Sequence, residues 1–279
     1  MATINAARHF RLEDEIGSIT PGRKADILIV EDLNNIEPSM VFFEGKLVAE
    51  QGKLTSSKVS SEYPHWIKNT VKFNKTITPK SFEIKSKSKN STKVNVIELI
   101  KDQIINKWTT EELEIKEGLI KNNLQEDILK LAVVERYGKT GGIGIGFVKG
   151  FHIKDGALAS SVSHDHHNIV CVGTDDYNIS QAVNEVENIQ GGFVLVKHGK
   201  VIGKMNLPIG GLMSSHDSAS VIDEITHLNN LTSEIGCTLA APFMTLSFIS
   251  LPTVPELGLT DIGLVDVLKH KIISTEIKI

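Results

Sequence analysis

The densest group of chemically competent side chains in this sequence is the run Ser163-His164-Asp165-His166-His167-Asn168. It lies between a stretch of small residues and an apolar segment that is typical of a strand. A loop held by a rigid strand can present imidazoles and a carboxylate to a substrate, or use them in proton transfer. The alternative is a surface loop whose polar side chains cap backbone groups. We take His164, Asp165, His167 and Asn168 as candidate substrate-contacting residues.

His164 and His166 also have the spacing of a two-histidine half-site for a metal. In an eight-unit barrel, such a pair ends the first strand and later strands supply the other ligands. That barrel takes about 250 residues, whereas only about 110 residues follow Asn168. These residues also lack a repeated strand–helix alternation. The pair is therefore not that metal-binding motif.

Glu135 and Arg136 form the second candidate pair, because they end a predicted strand just before the turn 137–142. A carboxylate and a guanidinium beside a turn can bind the edge of a heterocycle, or they can form a structural ion pair. Consecutive residues of a strand face opposite sides, so only one of the two is expected to face a site.

Two glycine-rich segments have structural and functional interpretations. The glycines between Gly141 and Gly146 lie inside an alternating strand with no helix after them, so they do not form a dinucleotide cradle. Close backbone packing explains them better. The Gly210-Gly211 bend precedes a predicted helix, where it is either an approach for an anion or substrate or a structural turn.

Composition limits the class of protein. The chain has 279 residues, 41% hydrophobic and 23% charged, which fits one large or two modest globular domains. It has no run of 18 apolar residues and no signal-peptide pattern, so neither a membrane-spanning helix nor a signal peptide is expected. A net charge of −4 gives no reason to expect nucleic acid or an anionic membrane as a partner. Cys171 and Cys237 have apolar neighbours, which favours reduced, buried thiols and a cytoplasmic protein.

The predicted elements give an α+β chain. Residues 1–60 contain a short helix, a buried strand and a hairpin about Glu44-Gly45, and form a small β domain that cannot close a core alone. Residues 61–90 are a connector, and residues 91–279 form a mixed α/β domain with a largely antiparallel sheet. The predicted strands of this domain are 93–99, 131–136, 143–149, 168–173, 193–197 and 201–205. The predicted helices begin at Asn178 and near Asp217, with a shorter one over 261–270.

Several motifs carry a family resemblance. Ala2-Thr-Ile-Asn5-Ala-Ala7, followed by Gly17-x-Ile-x-Pro21-Gly22-x-x-Ala25-Asp26, resembles the last barrel helix of the amidohydrolase superfamily and its return into the flanking β domain. The second domain resembles the C-terminal domain of the bacterial adenine deaminase family, essentially end to end. The motifs that carry this are Val133-Val-Glu135-Arg136-x-Gly138-Lys, Gly144-x-Gly146-Phe-Val-Lys149-Gly150-Phe, Ser160-Ser-Val-x-His164-Asp165-x-His167-Asn168-Ile and Leu207-Pro-x-Gly210-Gly211.

The resemblance implies a full-length enzyme that hydrolyses adenine to hypoxanthine and ammonia, with water activated by a manganese or iron centre. It also implies that this chain starts partway through that enzyme, and that the metal ligands belong to a barrel preceding Ala2. His166 stands where the family more usually has a small residue, whereas the candidate residues around it keep the family pattern. The expected partners are adenine and either a barrel fragment or a second copy of the chain.

Three hypotheses remain open at this point. The chain is the C-terminal part of an adenine deaminase that needs the barrel for catalysis, or it is a catalytically inactive remnant or purine-binding module. The third hypothesis is a catalytic site of its own around His164–His167.

Overall fold

A computed structural model describes residues 2–55 and 62–277. The chain divides into two compact units, Met1–Glu62 and Tyr63–Ile279, called here the first and the second unit. Most of the segment expected as a connector, residues 63–90, is thus counted with the second unit, where Val71, Ile77 and Phe82 are buried in a core cluster. Within the described ranges, no helix is long and apolar enough to cross a membrane.

The first unit is a helix with a small antiparallel sheet, as predicted. Its elements are α1 (Ile4–His9), β1 (Ile27–Val30), β2 (Pro38–Phe43), β3 (Lys46–Glu50) and β4 (Lys53–Leu54), with the strands in chain order. Among residues 2–55, Ala7 is the only fully buried side chain. Gly17 has a φ of 94°, and a Cβ there would lie 2.7 Å from the Ala7 Cβ. The motif glycine therefore allows the backbone to approach the helix closely.

A nine-stranded sheet organises the second unit. Its strands are β5 (Ser91–Leu99), β6 (Asn106–Lys116), β7 (Leu119–Ile120), β8 (Ile128–Val134), β9 (Ile143–Lys149), β10 (Ala157–Ser160), β11 (Ile169–Gly173), β12 (Gly192–Lys197) and β13 (Lys200–Asn206). The spatial order is β13-β12-β10-β11-β8-β9-β5-β6-β7, and only the β5–β9 pair is parallel. The predicted α+β class with a largely antiparallel sheet is confirmed.

The described part of the second unit has three α-helices, namely α2 (Asp176–Asn188), α3 (Ser218–Leu231) and α4 (Pro242–Ile249), and short 3-10 helices over His65–Lys68, Pro79–Phe82 and Thr232–Ile235. Helix α2 buries an apolar face against the sheet, as its 3.6-residue pattern predicts. Its N-cap is Asp175 rather than the predicted Asn178, because the Asp175 Oδ1 accepts a 2.8 Å hydrogen bond from the Asn178 amide. Helix α3 is capped by Asp217, where the sequence places it.

The predicted helix over 261–270 is wrong. The chain there forms a three-stranded antiparallel sheet of β14 (Leu257–Thr260), β15 (Gly263–Asp266) and β16 (Lys271–Ile273). Short apolar runs do not distinguish strand from helix, and Gly263, at φ 136°, favours the turn. This sheet lies against β9, where a Cβ on Gly144 would fall 1.8 Å from the Thr260 carbonyl oxygen. Close backbone packing of the strand glycines is therefore confirmed.

Candidate functional site

The sheet brings the two candidate segments to the same end. Strands β8 and β11 are antiparallel neighbours, with Val134 paired to Ile169, so the residues after β8 lie beside those before β11. The loop 161–168 joins β10 to β11 at that end. The hydroxyl of Tyr137 connects the segments directly, because it donates a 2.9 Å hydrogen bond to the carbonyl oxygen of His166.

Glu135 organises the turn that follows β8. Its Oε1 accepts from the Tyr137 amide at 2.6 Å, and its Oε2 accepts from the amides of Lys139, Thr140 and Gly141 at 3.1 Å each. Burial by itself raises the pKa of this carboxyl, but the four N–H donors outweigh burial and lower the pKa overall. No ion pair joins Glu135 to Arg136 in the part of the chain that the structure describes. The acid is a brace for the turn.

Arg136 is a buried cation without an acidic partner among the described residues. Its side chain is 2% exposed, and its Nη2 donates to the Gly210 carbonyl oxygen at 3.0 Å. Its guanidinium carbon lies 5.3 Å from the centroid of the Tyr137 ring, within range of a cation–π contact. Its Nε and Nη1 are buried and make no hydrogen bond within the described ranges. Such a desolvated charge is costly, which makes Arg136 a strong functional candidate.

The Gly210-Gly211 bend covers Arg136. Gly211 has a φ of 71°, and a Cβ at this position would lie 1.8 Å from the Arg136 Nη1. Ser161 fixes the bend from the other side, because its hydroxyl donates a 2.5 Å hydrogen bond to the Gly211 carbonyl oxygen. Helix α3 begins seven residues later at Ser218. The structure therefore favours the structural turn over an anion site at the helix N-terminus.

The loop histidines have distinct surroundings. The His164 ring packs on Phe248 of α4 with centroids 4.5 Å apart, and lies 6.1 Å from the His167 ring. Burial lowers the pKa of His167, and the positive charges of Arg136 and His164 lower it further against the opposing effect of Asp165. His167 is therefore a neutral imidazole near pH 7, able to accept a proton. Asp165 is the exposed member of the loop.

The other side of the loop is held by Asp261, which sequence reasoning missed. Asn168 is buried, and its Nδ2 donates to the Asp261 Oδ1 at 3.2 Å. The Asn168 amide donates to the His166 Nδ1 at 3.0 Å. Burial lowers the pKa of His166, and Asp261 opposes this shift. Asp261 lies in the turn between β14 and β15, so the error in predicting a helix there concealed it.

The described residues contain no group of three or more His, Cys, Asp or Glu side chains that could hold a metal ion. The spaced pair His164 and His166 does not act as a unit, because one ring packs on Phe248 and the other accepts a backbone hydrogen bond. The residues of 2–55 and 62–277 therefore do not fit a metal centre.

Comparison with known proteins gives consistent relatives. The family described as adenine deaminase C-terminal domain matches residues 103–271, and the amidohydrolase family matches residues 1–48. An adenine deaminase of Desulforamulus reducens is 56% identical over 278 residues, which cover 100% of this chain and 47% of that protein. An adenine deaminase of Dehalococcoides mccartyi is 41% identical over 278 residues, covering 99% and 47%. Adenine deaminase 2 of Carboxydothermus hydrogenoformans is 43% identical over 281 residues, covering 99% and 48%.

The chain spans about half the length of the curated relatives that it matches. The family match covers more than half of the chain and includes every candidate site residue, from Glu135 to Asn168. The chain therefore belongs to the adenine deaminase C-terminal domain family.

Proposed function

We propose that this chain is the C-terminal part of an adenine deaminase, which hydrolyses adenine to hypoxanthine and ammonia when a metal-binding barrel is present. The observation that carries the proposal is its end-to-end match, at 56% identity, to a protein named adenine deaminase. The buried, unpaired Arg136 beside a loop of imidazoles and a carboxylate supports a role at the site rather than in the scaffold alone.

The proposal assigns the metal to the barrel. A manganese or iron ion there would activate water for attack on C6 of the purine. We assign the ligands of this ion to that barrel, as the family resemblance implies. The two buried cysteines are free, which supports the cytoplasm as the compartment.

The candidate residues divide into two roles in this proposal. His164, Asp165 and His167 are partly or fully exposed and approach the barrel mouth, where they bind or enclose adenine. The neutral His167 imidazole can exchange a proton with a ring nitrogen of the purine. Glu135, Arg136 and Asn168 are buried, so they hold this surface in place and set its charge.

The test is an adenine deamination assay of the purified chain, alone and mixed with a barrel fragment of the Desulforamulus reducens relative, with manganese in both cases. We expect ammonia release only on mixing. Activity of the chain alone would instead support a catalytic site within this chain, around His164–His167. No activity with both parts folded would favour an inactive remnant, and adenine binding by calorimetry would then identify a purine-binding module.

Substitutions at the loop test the assigned roles. In the mixed enzyme, His164→Gln or Asp165→Asn should lower turnover by about tenfold or more, because small misplacement at a reaction centre is costly. The matched control is His152→Gln, an exposed histidine that pairs with Asp127 on another loop. Unchanged kinetics in both loop variants would exclude the loop from the site.

The exposed apolar surface of the first unit leads us to expect self-association of the isolated chain. Its α1 and β1–β2 line an apolar groove of about 930 Å³, and Phe10, Leu28 and Phe43 are each more than half exposed. Exposed apolar surface of this extent marks an interaction site, and we propose the barrel as its occupant. Light scattering after size exclusion should detect oligomers that the barrel fragment disperses. A concentration-independent monomer would contradict this expectation.

A further inference from the structure

Tyr137 links the turn that follows β8 to the loop 161–168. Its backbone amide is bound to the Glu135 carboxylate at 2.6 Å, so the residue starts from a braced position. Its ring lies next to the Arg136 guanidinium, 5.3 Å away, and its hydroxyl reaches across to the His166 carbonyl oxygen at 2.9 Å. None of the motifs that carry the family resemblance specifies a residue type at this position.

The hydrogen bond from Tyr137 acts on the orientation of His167. The carbonyl of His166 belongs to the peptide unit that precedes His167, so a donor fixed to this oxygen restrains the φ angle of His167. That angle is 51°, in the left-handed region that non-glycine residues disfavour. The other restraint is the amide of His167, which donates to the Ser163 carbonyl oxygen at 2.7 Å. The peptide unit between His166 and His167 is thus held through both its carbonyl oxygen and its amide.

We propose that Tyr137 is a positioning residue of the candidate site. Anchored by the Glu135 turn, its hydroxyl holds the His166–His167 peptide so that the His167 imidazole stays within the electrostatic influence of Arg136 and beside His164. The effect of Tyr137 on catalysis rests on the proposed function, whereas its effect on the position of His167 does not. Tyr137 touches the loop backbone and has no need to contact substrate.

The pKa of the His167 imidazole depends on the groups around the ring, so it reports the position of the ring. A purely structural role of Tyr137 would leave this pKa unchanged. The charged or titratable groups that act on it are Arg136, from the end of β8, and His164 and Asp165 on its own loop. Burial and Arg136 both hold the pKa of the imidazole below its usual value of 6.5. If the loop is released, both effects weaken and the pKa rises.

The test is Tyr137→Phe in the full chain, which removes the hydroxyl and keeps the ring. The titration midpoint of the His167 imidazole, followed by NMR, should rise towards its usual value, because burial and the charge of Arg136 act on it less. Amide hydrogen exchange at His167 should also accelerate about tenfold, since local opening becomes easier. The control is Tyr177→Phe, because Tyr177 is an exposed tyrosine whose hydroxyl makes no hydrogen bond within the described residues.

An unchanged His167 midpoint and exchange rate in Tyr137→Phe would overturn the proposal, as would equal changes in Tyr177→Phe. Tyr137→Met, which keeps bulk without a donor, gives the same two readouts should the phenylalanine variant fold poorly. In the barrel-complemented enzyme, the acidic limb of the kcat/KM profile should move up with the His167 midpoint. If the wild-type mixture does not deaminate adenine, the proposed function fails while the NMR measurements still decide the role of Tyr137.

Discussion

Replacing Glu135 with alanine should lower the free energy of unfolding of the second unit by about 3 kcal/mol, since hydrogen bonds to a charged acceptor contribute about 1.5–3 kcal/mol each. Four backbone amides of the turn 137–141 donate to this one buried carboxylate. The estimate is well below the sum of four such bonds, because most of this turn is exposed enough for water to replace the carboxylate. Urea denaturation followed by circular dichroism measures the difference.

Glu135→Gln is the matched control, because it keeps the shape and removes the charge. We expect an intermediate loss of about 1–2 kcal/mol, since one amide oxygen replaces two charged acceptors.

The folded pKa of Glu135 is lowered from 4.5. Its contribution is therefore complete above pH 4.5 and is lost as the pH falls through the lower folded value. The stability gap between wild type and Glu135→Gln should close in acid. A gap that widens in acid would mean that the carboxyl is not stabilised by its amides.

The strand periodicity of the sequence predicts that the two candidate segments lie at strand ends, but it does not predict which way their side chains point. The predicted strand 131–136 ends at Val134, so Glu135 and Arg136 lie beyond it and strand alternation no longer applies to them. Both side chains are buried at this end of the sheet, although alternation along a strand predicts opposite faces for consecutive residues. The N-cap of α3 depends only on the local sequence, and the predicted cap at Asp217 is confirmed.

Long-range partners could not be read from the sequence. The acceptor for Arg136 is a backbone carbonyl, that of Gly210, and carbonyl groups carry no residue-type signal. Asp261 reaches Asn168 only because its segment turns between two strands. Apolar residues at positions 264, 265 and 267 fit either secondary structure, so periodicity alone could not select the turn.

Arg136→Met should leave the second unit as stable as before, or stabilise it by about 1–3 kcal/mol, because a desolvated charge without an acidic partner is replaced by apolar bulk. Deamination by the barrel-complemented enzyme should nevertheless fall about a hundredfold or more, since Arg136 sets the charge and position of the loop. Urea denaturation and the ammonia assay measure the two effects separately. A residue kept at a cost in stability is expected at a functional site.

Lys130, within β8, supplies the matched control. It is buried like Arg136, but its Nζ pairs with Asp176 and donates to the Phe82 carbonyl oxygen at 2.9 Å. Lys130→Met should therefore destabilise by about 3 kcal/mol, because it leaves the Asp176 carboxylate unpaired. Replacement by methionine is thus expected to have opposite effects on stability at the two buried cations. Equal losses of stability in both variants would make Arg136 a structural residue, and the functional assignment of the site would then depend on His164, Asp165 and His167 alone.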